Sequence, residues 1–123
     1  MPFSTNPDKT HPLVAVVGPC ASGKSTLIHE LVKYGVNARH VAQEHSYVAD
    51  MWQRLTKPDI LVFLDASFQV AQKRRNLSWT EADYMQQQYR LRHAREHANL
   101  YLFTDNMEPK VVVQRVIEFL ASI

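Results

Sequence analysis

Residues 13 to 25, Leu-Val-Ala-Val-Val-Gly-Pro-Cys-Ala-Ser-Gly-Lys-Ser, constrain this chain more than any other stretch. Leu13 to Val17 is a short, β-branched apolar run, the pattern of a strand buried on both faces. Gly18, Gly23, Lys24 and Ser25 then fit G-x-x-x-x-G-K-[ST], the phosphate-binding P-loop spacing. Two glycines let the backbone turn tightly and bring its N–H groups against an anion. A lysine there reaches the β- and γ-phosphates as a mobile point charge. A serine after it places a hydroxyl on Mg²⁺, and the following helix aims its positive end at the phosphates. Thr26-Leu27-Ile28 with Leu31-Val32 has helical spacing, and Gly35, the third of only three glycines, stands where that helix should stop. Four fixed positions match by chance in about one per cent of chains this long, from average residue usage. The flanking strand and helix patterns favour the loop over an ordinary glycine turn.

A chain of 123 residues with 46% hydrophobic content predicts one domain with one core and excludes a disordered chain. The net charge of +2 implies no strong polyanion bias, and the basic residues between Lys73 and Arg95 are a local feature. The single cysteine, Cys20, excludes an internal disulfide framework and fits a reducing cytosol, so a cytoplasmic location is expected. No apolar run is long enough to span a membrane. Residues 1–12 read as a flexible leader, lacking the apolar segment of a signal peptide. Residues 13–123 read as the single domain.

Along that domain, helix 1 is expected from Lys24 to Tyr34, and a short strand from Ala38 to Gln43. A helix over Tyr47 to Leu55 would present Val48, Met51, Trp52 and Leu55 on one face. Thr56 to Asp59 is a turn, and Ile60 to Leu64, closed by Asp65, is a second buried strand. A helix from Ser67 to Arg75 follows. Ser78-Trp79-Thr80-Glu81 reads as a capping box that opens the longest helix, ending near Ala98. Leu100 to Phe103 is a last strand. Pro109 suits the first turn of a final helix whose stripe is Val112, Val113, Val116, Ile117 and Leu120. Strands alternating with helices predict an α/β fold, three layers around a parallel sheet of about four strands. Ligands then bind at the carboxyl ends of the strands, where the 18–25 loop, Glu44 and Asp65 gather.

With these elements placed, the chain resembles P-loop kinases of the nucleoside and nucleoside-monophosphate group, thymidylate kinases in pattern. Pro58 to Asp65 resembles the family's Pro-Asp-x-x-x-Tyr-Leu-Asp strand. Lys73-Arg74-Arg75 resembles the arginine-bearing segment where its lid begins, and Tyr89 to Asn99 the helix before its last strand. Thr104-Asp105-Asn106 resembles the loop that contacts the base. The resemblance implies a P-loop NTPase fold, ATP and Mg²⁺ as cofactors, and transfer of the γ-phosphoryl group to a small acceptor such as a nucleoside or nucleotide. It implies nucleotide contacts at Gly18, Pro19, Cys20, Ala21, Ser22, Gly23, Lys24, Ser25, Thr26, Asp105 and Asn106. The chain departs from the family in length. Some 25 residues separate helix 1 from the Ile60 strand, too few for the usual acceptor-binding helices, and Asn76-Leu77 replaces the lid. Glu44-His45-Ser46 would echo the family's acidic-Arg-x motif without its arginine.

Phosphoryl transfer needs positioning and charge neutralisation more than covalent help. Lys24, Glu44, Asp65, Arg74 and Arg75 are the candidate catalytic residues, and Ser25, Glu44 and Asp65 the candidate metal ligands. Glu44 is preferred to Asp65, which could instead cap the helix after it. A solvated loop charge is the plainer reading of Glu44. Arg74 and Arg75 would clamp phosphate, with Arg92 or Arg95 as substitutes, or form a solvated face. Cys20 reads as a small residue at a variable loop position or, less plainly, as an oxidisable thiol at a helix N-terminus, and His45 as a base, a substrate contact or a structural residue. His93 and His97 have i, i+4 zinc-ligand spacing but no third ligand, which favours a surface pair. Trp52 and Trp79 could stack on a base; helix packing is the plainer reading for Trp52.

Three other classes compete. An ATP-binding regulatory module with slow hydrolysis and no acceptor is favoured by the missing lid. A GTPase is disfavoured, since Thr56-Lys57-Pro58-Asp59 precedes its strand and no Asp-x-x-Gly occurs. Nucleic-acid binding through the arginines after Lys73 is disfavoured by the modest net charge. An acceptor site built across a homodimer is left open by the sequence.

Overall fold

A computed structural model describes residues 12–75 and 78–123. The leader up to residue 11, the Asn76-Leu77 junction and the Arg75 side chain lie outside the described residues. Four parallel strands, β1 (Leu13–Val17), β2 (Asn37–His40), β3 (Ile60–Asp65) and β4 (Leu100–Phe103), form one sheet in the order β2-β1-β3-β4. The helices are α1 (Lys24–Lys33), α2 (Met51–Thr56), α3 (Phe68–Arg75), α4 (Glu81–Arg90), α5 (Arg92–His97) and α6 (Pro109–Ser122). The expected α/β class with a four-stranded parallel sheet is what forms.

β1 and β3 are central, and every residue from Val14 to Val17 and from Ile60 to Asp65 is buried, as their unbroken apolar runs require. Alternation along each strand divides the core in two. Val14, Val16, Val62 and Leu64 pack with Leu27 and Leu31 of α1 and Val112, Val116 and Leu120 of α6. Ala15, Val17, Leu61 and Phe63 pack on the other face with Trp52, Leu91 and Ala94. Each buried Leu or Phe contributes about 1.5–3 kcal/mol from burial alone. Among the described residues no helix is long and apolar enough to cross a membrane.

α1 ends as its glycine predicts. Gly35 has φ 84°, its N–H reaches Val32 O at 3.0 Å, and the Val36 N–H reaches Leu31 O at 3.0 Å. These two bonds are a Schellman motif.

Four sequence expectations need correction. β2 ends at His40 rather than running to Gln43, because Gln43 N–H bonds back to Val41 O at 2.8 Å and a 3₁₀ turn covers Gln43–His45. The following helix begins at Met51, not Tyr47: Ser46 Oγ accepts the Val48 N–H at 3.1 Å and holds a bend first. Of its expected apolar face only Trp52 is buried; Val48 and Leu55 are exposed. The capping box lies two residues on, with Thr80 Oγ1 accepting the Asp83 N–H at 3.2 Å and Asp83 Oδ2 accepting the Thr80 N–H at 2.9 Å. Trp79 stays outside the helix and packs on Phe68 and Tyr84, at ring-centroid separations of 6.1 and 5.9 Å.

The helix expected to reach Ala98 is the fourth correction: it breaks at Leu91 into α4 and α5, so α6, at 14 residues, is the longest. Two side chains, one distant in the chain and one local, occupy carbonyls at the break. Gln43 Nε2 donates to Arg90 O at 3.2 Å, and Arg92 donates to Tyr89 O at 2.8 Å. Both side chains take carbonyls that a continuous helix would use.

Candidate functional site

The chain leaves β1 to one side, toward β2, and later crosses to β3 on the other side. The loop after β1 therefore sits at the topological switch point, where open α/β sheets form their crevice. A cavity of about 570 Å³ opens there. Its polar wall is the 20–26 segment with His40, Glu44, His45, Arg74 and Thr104; Met107, Pro109 and Val112 form an apolar wall.

The loop's shape follows from its residues. Gly18, Ala21 and Gly23 have φ of 154°, 64° and 102°. At Gly18 a Cβ would stand 2.0 Å from Leu64 O, so the close approach to β3 demands glycine. At Gly23 nothing lies within 4 Å, and only the backbone angle demands it. Leu27 N–H makes the first helical bond, to Gly23 O at 3.0 Å, so the earlier N–H groups of α1 face the loop end. Ser25 and Thr26 are exposed on the cavity; Gly18 and Pro19 are buried beneath it.

Lys24 and Glu44 meet at the cavity floor, with side chains 7% and 4% exposed and Nζ 3.2 Å from Oε2. Lys24 also donates to Gly18 O at 2.7 Å and Pro19 O at 2.8 Å, bracing the loop. Burial alone would raise the Glu44 carboxyl; the nearby His40 and the Lys24 charge overcome it and hold the carboxyl below its ordinary value. Glu44 Oε1 is buried without a hydrogen-bond partner, as is Ser22 Oγ.

Glu44 owes its place to Gln43, which is fully buried. Gln43 Nε2 donates to Val48 O at 2.8 Å as well as to Arg90 O, and Gln43 Oε1 accepts the Trp52 N–H at 2.8 Å. Arg90 in turn donates to Glu44 O at 3.3 Å and lies over the Tyr47 ring. On the loop side, Gln87 accepts the Cys20 N–H at 3.0 Å and donates to Cys20 Sγ at 3.2 Å. None of Gln43, Gln87 and His40 is flagged by the sequence, because a lone polar residue in a helix or strand pattern reads as surface.

Arg74 reaches the loop rim, donating to Ala21 O at 3.2 Å, to Thr104 Oγ1 at 3.0 Å and to Thr104 O. Thr104 Oγ1 also bonds Ser22 O and Asp65 O, both at 3.1 Å. The Arg75 side chain is outside the described residues.

Asp65 points to the other face of the sheet. Its Oδ1 accepts from Ala66 N–H and Gln88 Nε2, both at 2.9 Å, and its Oδ2 from the Tyr101 hydroxyl at 2.6 Å. Arg95 stands 3.9 Å from Oδ2. Burial, then the Asp65 hydrogen bond and charge, push the Tyr101 hydroxyl well above its ordinary range. Ser67 Oγ, not Asp65, makes the capping bond of α3, from the Val70 N–H at 3.3 Å.

Asp105 and Asn106 are outside the cavity wall; Asp105 Oδ1 accepts the Ser67 N–H at 2.9 Å, and Asn106 is exposed. Arg92 and Arg95 lie over Tyr89 and Phe63, away from the cavity. His93 accepts from Trp52 Nε1 at 3.1 Å and stacks on His97 at 4.1 Å. Asp59 accepts the Leu13 N–H at 2.8 Å, at the amino-terminal end of the central strands, opposite the cavity. Comparisons with protein-family models and with curated proteins give no match to this chain.

Proposed function

We propose that the cavity binds a magnesium nucleoside triphosphate, with ATP the expected one, and that the protein transfers its γ-phosphoryl group to a small acceptor. The observation that carries this reading is the buried Lys24–Glu44 pair at the mouth of a G-x-x-x-x-G-K-S loop that ends on α1. Cation, carboxylate and helix N-terminus converge on one cavity, the combination that phosphate and its metal require. The residues fit Mg²⁺, since Glu44 offers a buried oxygen without a partner. Ser25 and that oxygen would hold it. When bound, the ion neutralises charge on the phosphoryl oxygens.

The chain's own groups supply the rest. Lys24 exchanges a loop carbonyl for a phosphate oxygen, and the first N–H groups of α1 receive the phosphates. Arg74, a planar donor at the rim, takes two oxygens of the transferred group. Met107, Pro109 and Val112 offer the base an apolar wall. Asp65 keeps Tyr101, Gln88 and the start of α3 in place rather than touching substrate.

A second reading, an ATP-binding module without an acceptor, draws on one observation. Between α1 and β3 the chain holds only β2, the Gln43–His45 turn and the six-residue α2, little from which to build an acceptor site. Release of ADP from Mg·ATP, with and without a panel of nucleosides, nucleoside monophosphates and hydroxylated metabolites, decides between them. Acceptor-dependent release that Lys24→Ala abolishes supports the kinase. Tight binding with no acceptor effect supports the module, and binding that survives Lys24→Ala overturns both.

A further inference from the structure

Cys20, Glu44 and His45 are brought together by two separate loops, and each presents a metal-ligating atom within 4.8 Å of the others. We propose that they form a site for a thiophilic divalent cation, zinc in chemical class, distinct from the magnesium of a bound nucleotide. Cys20 Sγ stands 3.8 Å from His45 Nε2, and His45 Nε2 stands 3.8 Å from Glu44 Oε2. Tetrahedral zinc with ordinary bond lengths holds sulfur and nitrogen about 3.6 Å apart, and nitrogen and oxygen about 3.4 Å apart. The sulfur–nitrogen and nitrogen–oxygen pairs are therefore within a few tenths of an ångström of closing on one ion, and the sulfur and carboxylate oxygen lie within 4.8 Å of each other.

Three further features mark the cluster as more than a chance gathering. Glu44 is 3% exposed and its Oε1 has no hydrogen-bond partner, so a buried carboxylate oxygen is left for a cation. Gln87 donates to Cys20 Sγ at 3.2 Å and accepts the Cys20 N–H at 3.0 Å, which fixes the position of the sulfur. The mixed sulfur, nitrogen and oxygen set suits zinc and discriminates against magnesium, which takes oxygen ligands. Three protein ligands leave a fourth position for water. On binding, the Cys20 thiol loses its proton to solvent as the metal–sulfur bond forms. Glu44 would be shared with the nucleotide's magnesium, so the two occupants exclude each other. The site itself does not rest on nucleotide binding.

The test is titration of the reduced, metal-free full chain with Co²⁺ as the probe, followed by Zn²⁺. The expected result is a saturable one-to-one thiolate-to-cobalt charge-transfer band that Zn²⁺ removes. Cys20→Ser should abolish that band. His45→Gln should weaken binding by more than about tenfold. His93→Gln should leave both unchanged. Cys20 and His45 lie outside the buried core, and circular dichroism verifies that each variant folds. Absence of a saturable band, or a band of full affinity in His45→Gln, overturns the proposal. Neither result bears on ATP turnover, which is read separately with magnesium in excess and chelator present.

Discussion

Glu44 is held below its ordinary pKa of 4.5 in the folded protein. Its pairing therefore stabilises the fold fully above the unfolded value, and that contribution disappears as the pH falls through the folded one. The expected outcome is a loss of stability on acidification below about pH 4.5 that Glu44→Gln lacks, read from urea midpoints between pH 7 and pH 3. Parallel pH profiles for the two proteins would show that the pair does not form. The two loop glycines make a second contrast at this scale. Gly18→Ala must displace the β3 backbone and should cost more than about 2 kcal/mol. Gly23→Ala meets no atom and carries only its positive φ, about 1 kcal/mol. Equal losses in denaturant would contradict the packing at Gly18. The spacing of Gly18, Gly23, Lys24 and Ser25 is visible in sequence because it is local. The partner of Lys24 is less so, because Glu44 was one of two acidic strand-end residues, and only the side of the sheet each faces separates them.

Elements follow the same division between local and distant causes. β1, β3, β4, α1 and α6 are readable because unbroken apolar runs, a stop glycine and Pro109 act within a few residues. β2 and α2 are not, since β2 is a largely exposed edge strand and α2 buries only Trp52. The break at Leu91 is not visible in sequence, since one of the two side chains that take its carbonyls, Gln43, lies 47 residues away. At the start of α4 two cap patterns overlap, Ser78 with Glu81 and Thr80 with Asp83, and the aromatic packing of Trp79 selects the second. Thr80→Ala should thus cost about 1 kcal/mol in thermal or urea unfolding, while Ser78→Ala costs a few tenths at most. A larger loss at Ser78 would restore the earlier cap.

At the scale of the molecule, the sheet separates two cores, and the candidate site leans on one of them. The α1–α6 face carries the helix that follows the loop, but the residues that place Glu44 and Cys20, namely Gln43, Gln87 and Arg90, belong to the opposite face. That face is anchored by Leu91, fully buried at the break between α4 and α5. Leu91→Ala should cost about 2–5 kcal/mol and also loosen the carbonyl of Arg90 and the amide of Gln87. Leu120→Ala, in the last turn of α6, should cost about 2 kcal/mol with no route to those groups. Denaturation midpoints and Mg·ATP dissociation constants, both measured well below each melting temperature, separate the effects. The expected pattern is a destabilised Leu120→Ala with unchanged affinity, and a Leu91→Ala whose folded fraction binds more weakly. Equal affinities in the two variants would mean that the loop and α1 alone hold the nucleotide. The Gln43–Gln87–Arg90 network would then serve only the stability of that face.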